Sequence, residues 1–108
     1  MNAYDLYIAY VDWGHSGKSR PVVVLARDTQ LVSAFSITTQ YENKSDHIKA
    51  QYMPIKKWKE AGLNKPSYID VGRIIKLPTS VFMGIAIGRL TDVDIVGLLE
   101  AMEARTHL

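Results

Sequence analysis

The chain has 108 residues, of which 47% are apolar and 22% charged, a composition typical of one folded domain and unlike that of disordered chains. It contains no cysteine, which excludes disulfides, thiolate zinc sites and thiol nucleophiles and agrees with a reducing compartment. The N-terminal residues lack the basic start and long apolar run of a secretory signal, and no stretch is long enough to span a membrane, so we expect a cytoplasmic protein with a single domain over residues 1–108.

The net charge of +2 is unevenly distributed along the chain. Residues 13–76 contain eleven Lys and Arg against five Asp and Glu, whereas the two ends together contain two against six. A basic segment of this kind attracts a polyanion such as RNA, because bound cations release counterions from phosphates. Lysines scattered over the surface and exposed to water are the alternative interpretation, since the count does not place these side chains on one face.

The first part of the chain predicts three strands. Residues 4–11 alternate with the period of two that a strand requires, and residues 14–19, GHSGKS, are typical of a flexible polar loop. After Arg20 and Pro21 the run VVVLA indicates a buried strand, with the proline at its first position, where a missing N–H costs least. Residues 31–37 alternate again and form the third predicted strand.

The second part of the chain predicts shorter elements. In chain order these are a loop over 41–47, a possible strand over 48–53, a brief helix over 54–61 and strands over 66–77 and 81–87. Pro54 suits a first helical turn, and Gly62 supplies a helix end. Gly84, inside the last strand, suggests a bulge or a close approach of the backbone.

A C-terminal helix is predicted to begin at Thr91. The Thr91 hydroxyl can cap the first free N–H groups, and Asp94 stands at the position of a capping-box acid. The predicted buried stripe of this helix consists of Ile95, Leu98, Leu99 and Met102. About five strands, a short helical insert and one terminal helix indicate a mainly β (α+β) fold, a small antiparallel barrel.

Four segments of the chain resemble the MazF/PemK toxins. They are GHSGKSRPVVVL at 14–25, entered from a strand holding Asp5 and Asp12, ITTQ at 37–40, YIDVGRIIKL at 68–77 and IGRLTDVDI at 87–95. They lie in the family's order and cover most of the chain. The resemblance implies an SH3-like barrel with a C-terminal helix, usually a homodimer, acting as an endoribonuclease toxin of a type II toxin–antitoxin system with a cognate antitoxin as partner. The chain departs from the family at its AYD start and in an insert over residues 56–67.

Cleavage of RNA without a metal uses the substrate's own 2′-hydroxyl and leaves 2′,3′-cyclic phosphate and 5′-hydroxyl ends. Arg20 suits the stabilisation of phosphate charge, because its guanidinium is always charged and forked, and the resemblance implies that it is the catalytic arginine. The resemblance likewise implies that Thr38 is the catalytic threonine, a role that suits orientation better than proton transfer; Thr39 is the fallback. His15, in the loop, could carry a proton, as could Asp70 in an auxiliary role. Ordinary alternatives are a surface ion pair for Arg20, plain strand packing for Thr38 and a solvated His15.

Further residues are candidates for binding single-stranded RNA. Asp70 and Arg73 could pair to position substrate, although a structural ion pair explains them equally well. Trp13, Tyr41 and Lys44 offer aromatic faces and a cation for unpaired bases. The polar loop and strand ends add Gly14, Ser16, Lys18, Thr39 and Gln40. The three histidines lack the spacing of metal ligands, so we expect neither a metal nor a cofactor.

Two other functions fit the same residues. The first is a barrel of this fold that binds RNA or an antitoxin without cleaving. The second is a toxin that targets a protein, as a gyrase poison of the same barrel fold does through a C-terminal helix with an aromatic tail. The present chain ends RTHL, which favours the nuclease.

Overall fold

The computed structural model describes residues 1–12, 17–82 and 84–106. Within them the strands are β1 Asp5–Asp12, β2 Gly17–Arg27, β3 Leu31–Thr38, β4 Tyr52–Pro54, β5 Tyr68–Asp70, β6 Ile75–Pro78 and β7 Gly88–Arg89. The helices are α1 Asp46–Lys49 and α2 Asp92–Thr106, and a 3₁₀ turn covers Thr79–Phe82. No helix in these ranges is both long and apolar enough to cross a membrane.

The seven strands form one curled antiparallel sheet, a half-barrel. Their order is β4-β5-β3-β2-β1-β7, and β6 pairs with β3 off this path. One edge of β3 serves two partners, because its first half pairs with β6 while Ile37 and Thr38 pair with β5. The prediction of a mainly β fold with a C-terminal helix is confirmed.

Apolar side chains cover both faces of this sheet. Since successive residues of a strand point to opposite faces, Val23 belongs to one core and its neighbours Val22 and Val24 to the other, which is why the VVV run is buried throughout. The helix-side core contains Leu6, Val23, Phe35, Ile37, Ile55, Ala61, Leu63, Ile69, Val71, Leu90 and Leu98. The second core contains Tyr7, Ala9, Val11, Val22, Val24, Val32, Ala34, Ile75 and Phe82.

The boundaries of the first two strands differ from the prediction. Tyr4 has a φ of 72°, a left-handed conformation incompatible with a strand, so β1 begins one residue later. The predicted loop over 14–19 is strand from Gly17 onward, since β2 continues pairing with β1 as far as Gly17 opposite Asp12. Pro21 therefore lies inside β2, opposite Ile8, and not at its start.

The short helix lies earlier than predicted. Helix α1 falls in the predicted loop and strand over 41–53 and is capped by Ser45, whose Oγ accepts from the Ile48 N–H at 3.4 Å. The helix predicted over 54–61 is absent: Pro54 ends β4, and residues 56–62 form turns with one helical hydrogen bond, from the Ala61 N–H to the Lys57 carbonyl at 3.0 Å. The insert is thus a folded set of turns, and Ala61 is fully buried against the helix-side core.

Two predicted strands of the second half are divided or lost. The segment 66–77 divides into β5 and β6 because the Asp70 carboxylate accepts from the Gly72 N–H at 2.9 Å and turns the chain. The strand over 81–87 was predicted wrongly, since the 3₁₀ turn enters it and Ile85 is 94% exposed. An added Cβ at Gly84 would meet open space, so the close backbone approach falls instead at Gly88, where a Cβ would collide with the Ala61 carbonyl.

The start of helix α2 is held differently from the predicted capping box. The carbonyl of Thr91 accepts from the N–H groups of Asp94 and Ile95, but the buried Thr91 hydroxyl has no hydrogen-bond partner among the described residues. The Asp94 carboxylate, 1% exposed, accepts from the N–H groups of Lys56 at 2.9 Å and Lys57 at 2.8 Å. Asp94 therefore ties the insert to the helix.

The buried stripe of α2 is confirmed in part. Leu98 is fully buried, and Ile95 and Met102 pack against the helix-side core. Leu99 is 47% exposed, contrary to the prediction, and Ala101 packs on the core in its place.

Candidate active site

A cleft opens where strands β2 and β3 separate. The last pair of the ladder at this end is Val22 with Ser36. Pro21, which precedes Val22 in β2, has no N–H with which to extend the pairing. The following residues of β3 pair with β5 on the other side of the strand. The separated strand ends line a cleft of about 400 Å³, which we call the main cleft.

Arg20 and Thr38 stand at the polar end of the second core. Strand alternation places Arg20 in the same row as Val22 and Val24, and Thr38 in the same row as Val32 and Ala34. The apolar members of these rows are buried, whereas Arg20 and Thr38 are half-buried. The second core thus ends in a polar recess of about 120 Å³ beside the main cleft, lined by Val11, Arg20, Ser36, Thr38, Tyr52, Asp70, Arg73 and Ile75.

One acceptor position of the Thr38 hydroxyl is occupied. Its Oγ accepts a hydrogen bond from the backbone N–H of Gln40 at 3.0 Å. Because a hydroxyl has one proton to donate and this bond uses an acceptor position, the proton of Thr38 remains able to donate toward the cleft. Thr38 lines both the main cleft and the recess, as Arg20 does.

Asp70 and Arg73 share the recess but do not form the predicted pair. The Asp70 Oδ1 accepts from Gly72, and no ion pair joins Asp70 to Arg73 within the described parts of the chain. Arg73 is exposed at the recess wall. Across residues 1–12, 17–82 and 84–106, no three His, Asp or Glu side chains form a group that could hold a metal ion.

Tyr52 is a site residue that the sequence analysis missed. It stands on β4 opposite Asp70 of β5, and it lines both the main cleft and the recess together with Arg20 and Thr38. Burial raises the pKa of the Tyr52 phenol above its ordinary value; the charge of Asp70 adds to the rise, and Arg20 offsets part of it. The phenol is therefore a neutral hydrogen-bond donor at neutral pH. Its place depends on the pairing of β4 with β5, which no local motif indicates.

Comparison with solved structures finds toxins of similar fold. The Mycobacterium tuberculosis toxin MazF-mt6 superposes with a TM-score of 0.71 and 27% sequence identity, covering 96% of this chain and 97% of its own. The chain has the fold of the MazF toxins. A second solved structure, of an Mtb toxin, has a TM-score of 0.61 and 27% identity, covering 79% of this chain and 90% of its own. No family model and no curated protein matches the sequence.

Several cations line the main cleft and the adjoining recess. Besides Arg20, the main cleft is lined by Lys18 and the half-buried Lys44, and Arg73 lines the recess. Thr39 and Gln40, which were predicted to bind RNA, also line the main cleft. Asp70 is the one acidic side chain among the described residues that line the two spaces. Part of the basic segment therefore does share a face.

The remaining predicted RNA contacts fall elsewhere. The ring of Tyr41 lies outside the lining of the clefts and stacks on Tyr68, with centroids 4.2 Å apart and planes 7° from parallel. The Lys49 ammonium lies 5.0 Å from the centroid of the Tyr41 ring. The Tyr41 ring therefore packs against other side chains of the protein. The other predicted residues lie outside the described part of the chain and are Trp13, Gly14, His15 and Ser16.

Proposed function

We propose that this protein is a MazF-type toxin, a metal-independent endoribonuclease that cleaves single-stranded RNA, in the cytoplasm chiefly messenger RNA. The observation that supports the proposal most is that Arg20 and Thr38 line the same two adjoining spaces. The similarity to MazF-mt6 over almost the whole of both chains supports it independently.

In the proposed reaction the RNA's 2′-oxygen attacks the adjacent phosphorus and the bond from phosphorus to the 5′-oxygen breaks. The 2′-hydroxyl proton passes to a base, and the leaving 5′-oxygen takes a proton from an acid. The products are a 2′,3′-cyclic phosphate and a 5′-hydroxyl. Charge accumulates on the non-bridging oxygens of the phosphate, so fixed donors facing the main cleft would stabilise the transition state most.

The lining residues have chemistry that suits these roles. The guanidinium of Arg20 would hold the phosphate oxygens and neutralise their charge. The Thr38 hydroxyl, oriented by Gln40, and the neutral Tyr52 phenol would each donate a hydrogen bond. Asp70 in the recess would accept a proton, and His15 remains the second candidate for proton transfer.

The basic surface of the clefts also indicates which partners the protein would bind. We propose a cognate antitoxin whose acidic segment occupies the basic clefts, since charges complementary to Lys18, Lys44 and Arg73 would compete with RNA there. We also propose a homodimer, as the family resemblance implies. Apolar side chains such as Ile85, 94% exposed, leave surface that a second copy or a partner could cover.

The experiment that tests the proposal incubates the purified protein with a defined single-stranded RNA in EDTA and maps both ends of every fragment. We expect 2′,3′-cyclic phosphate and 5′-hydroxyl ends, and a large loss of cleavage in Arg20→Gln and Thr38→Val with unfolding temperatures close to that of the wild type. RNA that stays intact at high protein concentration, although it binds, would establish the non-cleaving alternative.

A further inference from the structure

A third space adjoins the main cleft on the side of the insert. It has a volume of about 230 Å³, lies between Ile8 of β1 and the tip of the insert over residues 62–65, and we call it the insert cleft. It shares Pro21, Thr39 and Ser67 with the main cleft. The two spaces therefore adjoin at the end of the β2–β3 pairing, and we call them, together with the recess, the groove.

The lining of the insert cleft combines exposed apolar surface with a polar rim. Ile8 is 49% exposed and Ile87 36% exposed, and Leu63 adds buried apolar surface beneath them. Asn64 and Lys65, both exposed, line the same space. A nucleobase has this combination of properties, since its faces are apolar and its edges donate and accept hydrogen bonds.

The walls of the insert cleft are held by the fold. Gly62 has a φ of 100° and lies so close to the carbonyl of Ile87 that an added Cβ would collide with it. The Ile87 N–H donates to the Leu6 carbonyl at 2.8 Å, which fixes the opposite wall to β1. The Ser67 hydroxyl donates to the Lys65 carbonyl at 2.7 Å and orders the rim. A ligand would therefore meet a preformed space.

We propose that the insert cleft binds one base of the RNA strand whose phosphate lies at Arg20, and that Asn64 recognises the edge of that base. Its volume is below the ~300–1,000 Å³ of pockets that enclose a whole small molecule, which suits one base better than a complete nucleotide. The Asn64 amide offers both a donor and an acceptor to a base edge, and Lys65 complements the nearby phosphate. This inference rests on the proposed function and assigns a specificity role to the insert.

The test uses two variants and two readouts on the full-length protein. The variants are Asn64→Ala, which removes the amide, and Ile8→Thr, which removes apolar floor but keeps a β-branched residue. The control is Leu31→Thr, a similar change at a position on β3 that is 40% exposed and outside the groove. One readout sequences the fragment ends from a randomised RNA, and the other measures binding of an RNA made uncleavable by a 2′-deoxy nucleotide at the cleaved position.

We expect Asn64→Ala to reduce base discrimination roughly tenfold at one position beside the cleaved bond, the size of one lost base-edge contact. Ile8→Thr should weaken binding of the uncleavable RNA several-fold, and Leu31→Thr should change neither readout.

Unchanged base preference and affinity in both variants, with a wild type that cleaves, would overturn the proposed role of the insert cleft and leave the proposed nuclease intact. A wild type that binds RNA but does not cleave it would overturn the proposed nuclease alone. The base preference would then be measured by selecting the RNA sequences that the protein binds. A wild type that neither binds nor cleaves RNA would overturn both.

Discussion

At the scale of single residues, the orientation of the Thr38 hydroxyl decides what this side chain contributes. Because its oxygen accepts from Gln40, the proton can point to a phosphate oxygen as negative charge develops there. Removing one such donor from a preorganised site commonly costs 10²–10³ in rate. In the proposed reaction Thr38 would therefore stabilise the transition state and take no proton from the substrate.

We therefore predict that Thr38→Val lowers kcat for RNA cleavage by about 100-fold while Thr38→Ser retains most of the activity. Valine has nearly the shape of threonine, so the strand should pack as before. Thr29→Val, at an exposed threonine of the β2–β3 turn, is the matched control and should cleave normally. Equal losses in the valine and serine variants would show that the hydroxyl is not the group that matters.

A second prediction concerns Tyr52, which stands beside Arg20 and Thr38. Tyr52→Phe keeps the ring, whose centroid is 6.2 Å from that of Tyr41, and removes only the phenol oxygen. We expect kcat/KM to fall roughly 10- to 100-fold, as for the loss of one hydrogen bond to a charged group. Tyr4→Phe, at a tyrosine that precedes β1 and lines none of the three spaces, is the control.

The pH dependence separates a neutral donor from a titrating group. Since the pKa of Tyr52 is raised above its ordinary value of 10.0, the phenol keeps its proton throughout about pH 6 to about pH 9. The ratio of wild-type to Tyr52→Phe rates should therefore be constant over this interval. A ratio that falls as the pH rises toward 9 would mean that the phenol ionises there.

At the scale of elements, one buried carboxylate of helix α2 binds the backbone of the insert. Asp94 is 1% exposed, and both of its oxygens accept backbone N–H groups of the insert. Without the carboxylate, the N–H groups of Lys56 and Lys57 would stay unsatisfied beside the core. A buried group that loses its partner costs about 1–3 kcal/mol, more where a charge had bound it.

We predict that Asp94→Ala lowers the free energy of unfolding by about 3 kcal/mol, measured by urea denaturation. Asp94→Asn keeps one acceptor oxygen and should fall between alanine and the wild type. Asp92→Ala removes an exposed acid from the same helical turn and should cost less than about 1 kcal/mol. Similar losses in the two alanine variants would mean that Asp94 acts only on the helix dipole.

The elements that the sequence predicted well are those with a local pattern. The alternation along 4–11 and 31–37 located β1 and β3 within a residue or two, and the apolar spacing after Thr91 located α2. The segment 81–87 has the composition of a strand, yet among the described residues of this region it is Gly88 and Arg89 that pair with β1. A segment forms a strand only where a neighbouring strand is available to pair with it, and a local sequence pattern does not show whether one is.

The candidate site likewise contains residues that the sequence predicted and residues that it missed. Arg20 and Thr38 lie within segments that resemble a family, so the sequence alone nominated them, and the structure places them together. Tyr52 and Asn64 reach the groove only through the β4–β5 pairing and the folded insert. The pair that Asp70 and Arg73 could have formed is not made, and an Asp70 carboxylate oxygen accepts from the backbone of its own turn.

At the scale of the whole molecule, the curled sheet explains why the groove is polar and basic. Both faces of the sheet are covered, so the apolar rows of β2 and β3 can end only where the strands separate. At that end, polar side chains can follow the apolar residues of each strand without being buried in a core. There the main cleft shares lining residues with the recess on one side and with the insert cleft on the other.

The cations of this groove predict the salt dependence of RNA binding. The recess, the main cleft and the insert cleft are lined by Lys18, Arg20, Lys44, Lys65 and Arg73. A single strand that contacts all of them should release counterions so that the logarithm of its binding constant falls with the logarithm of salt concentration with a slope of about −3.5. Lys44→Gln should make this slope shallower by about 0.7, whereas Lys76→Gln, an exposed change on β6 outside the groove, should leave it unchanged. Fluorescence anisotropy of an uncleavable RNA between about 50 and 300 mM salt measures the slope. Equal slopes for the two variants would mean that RNA follows another surface of the protein.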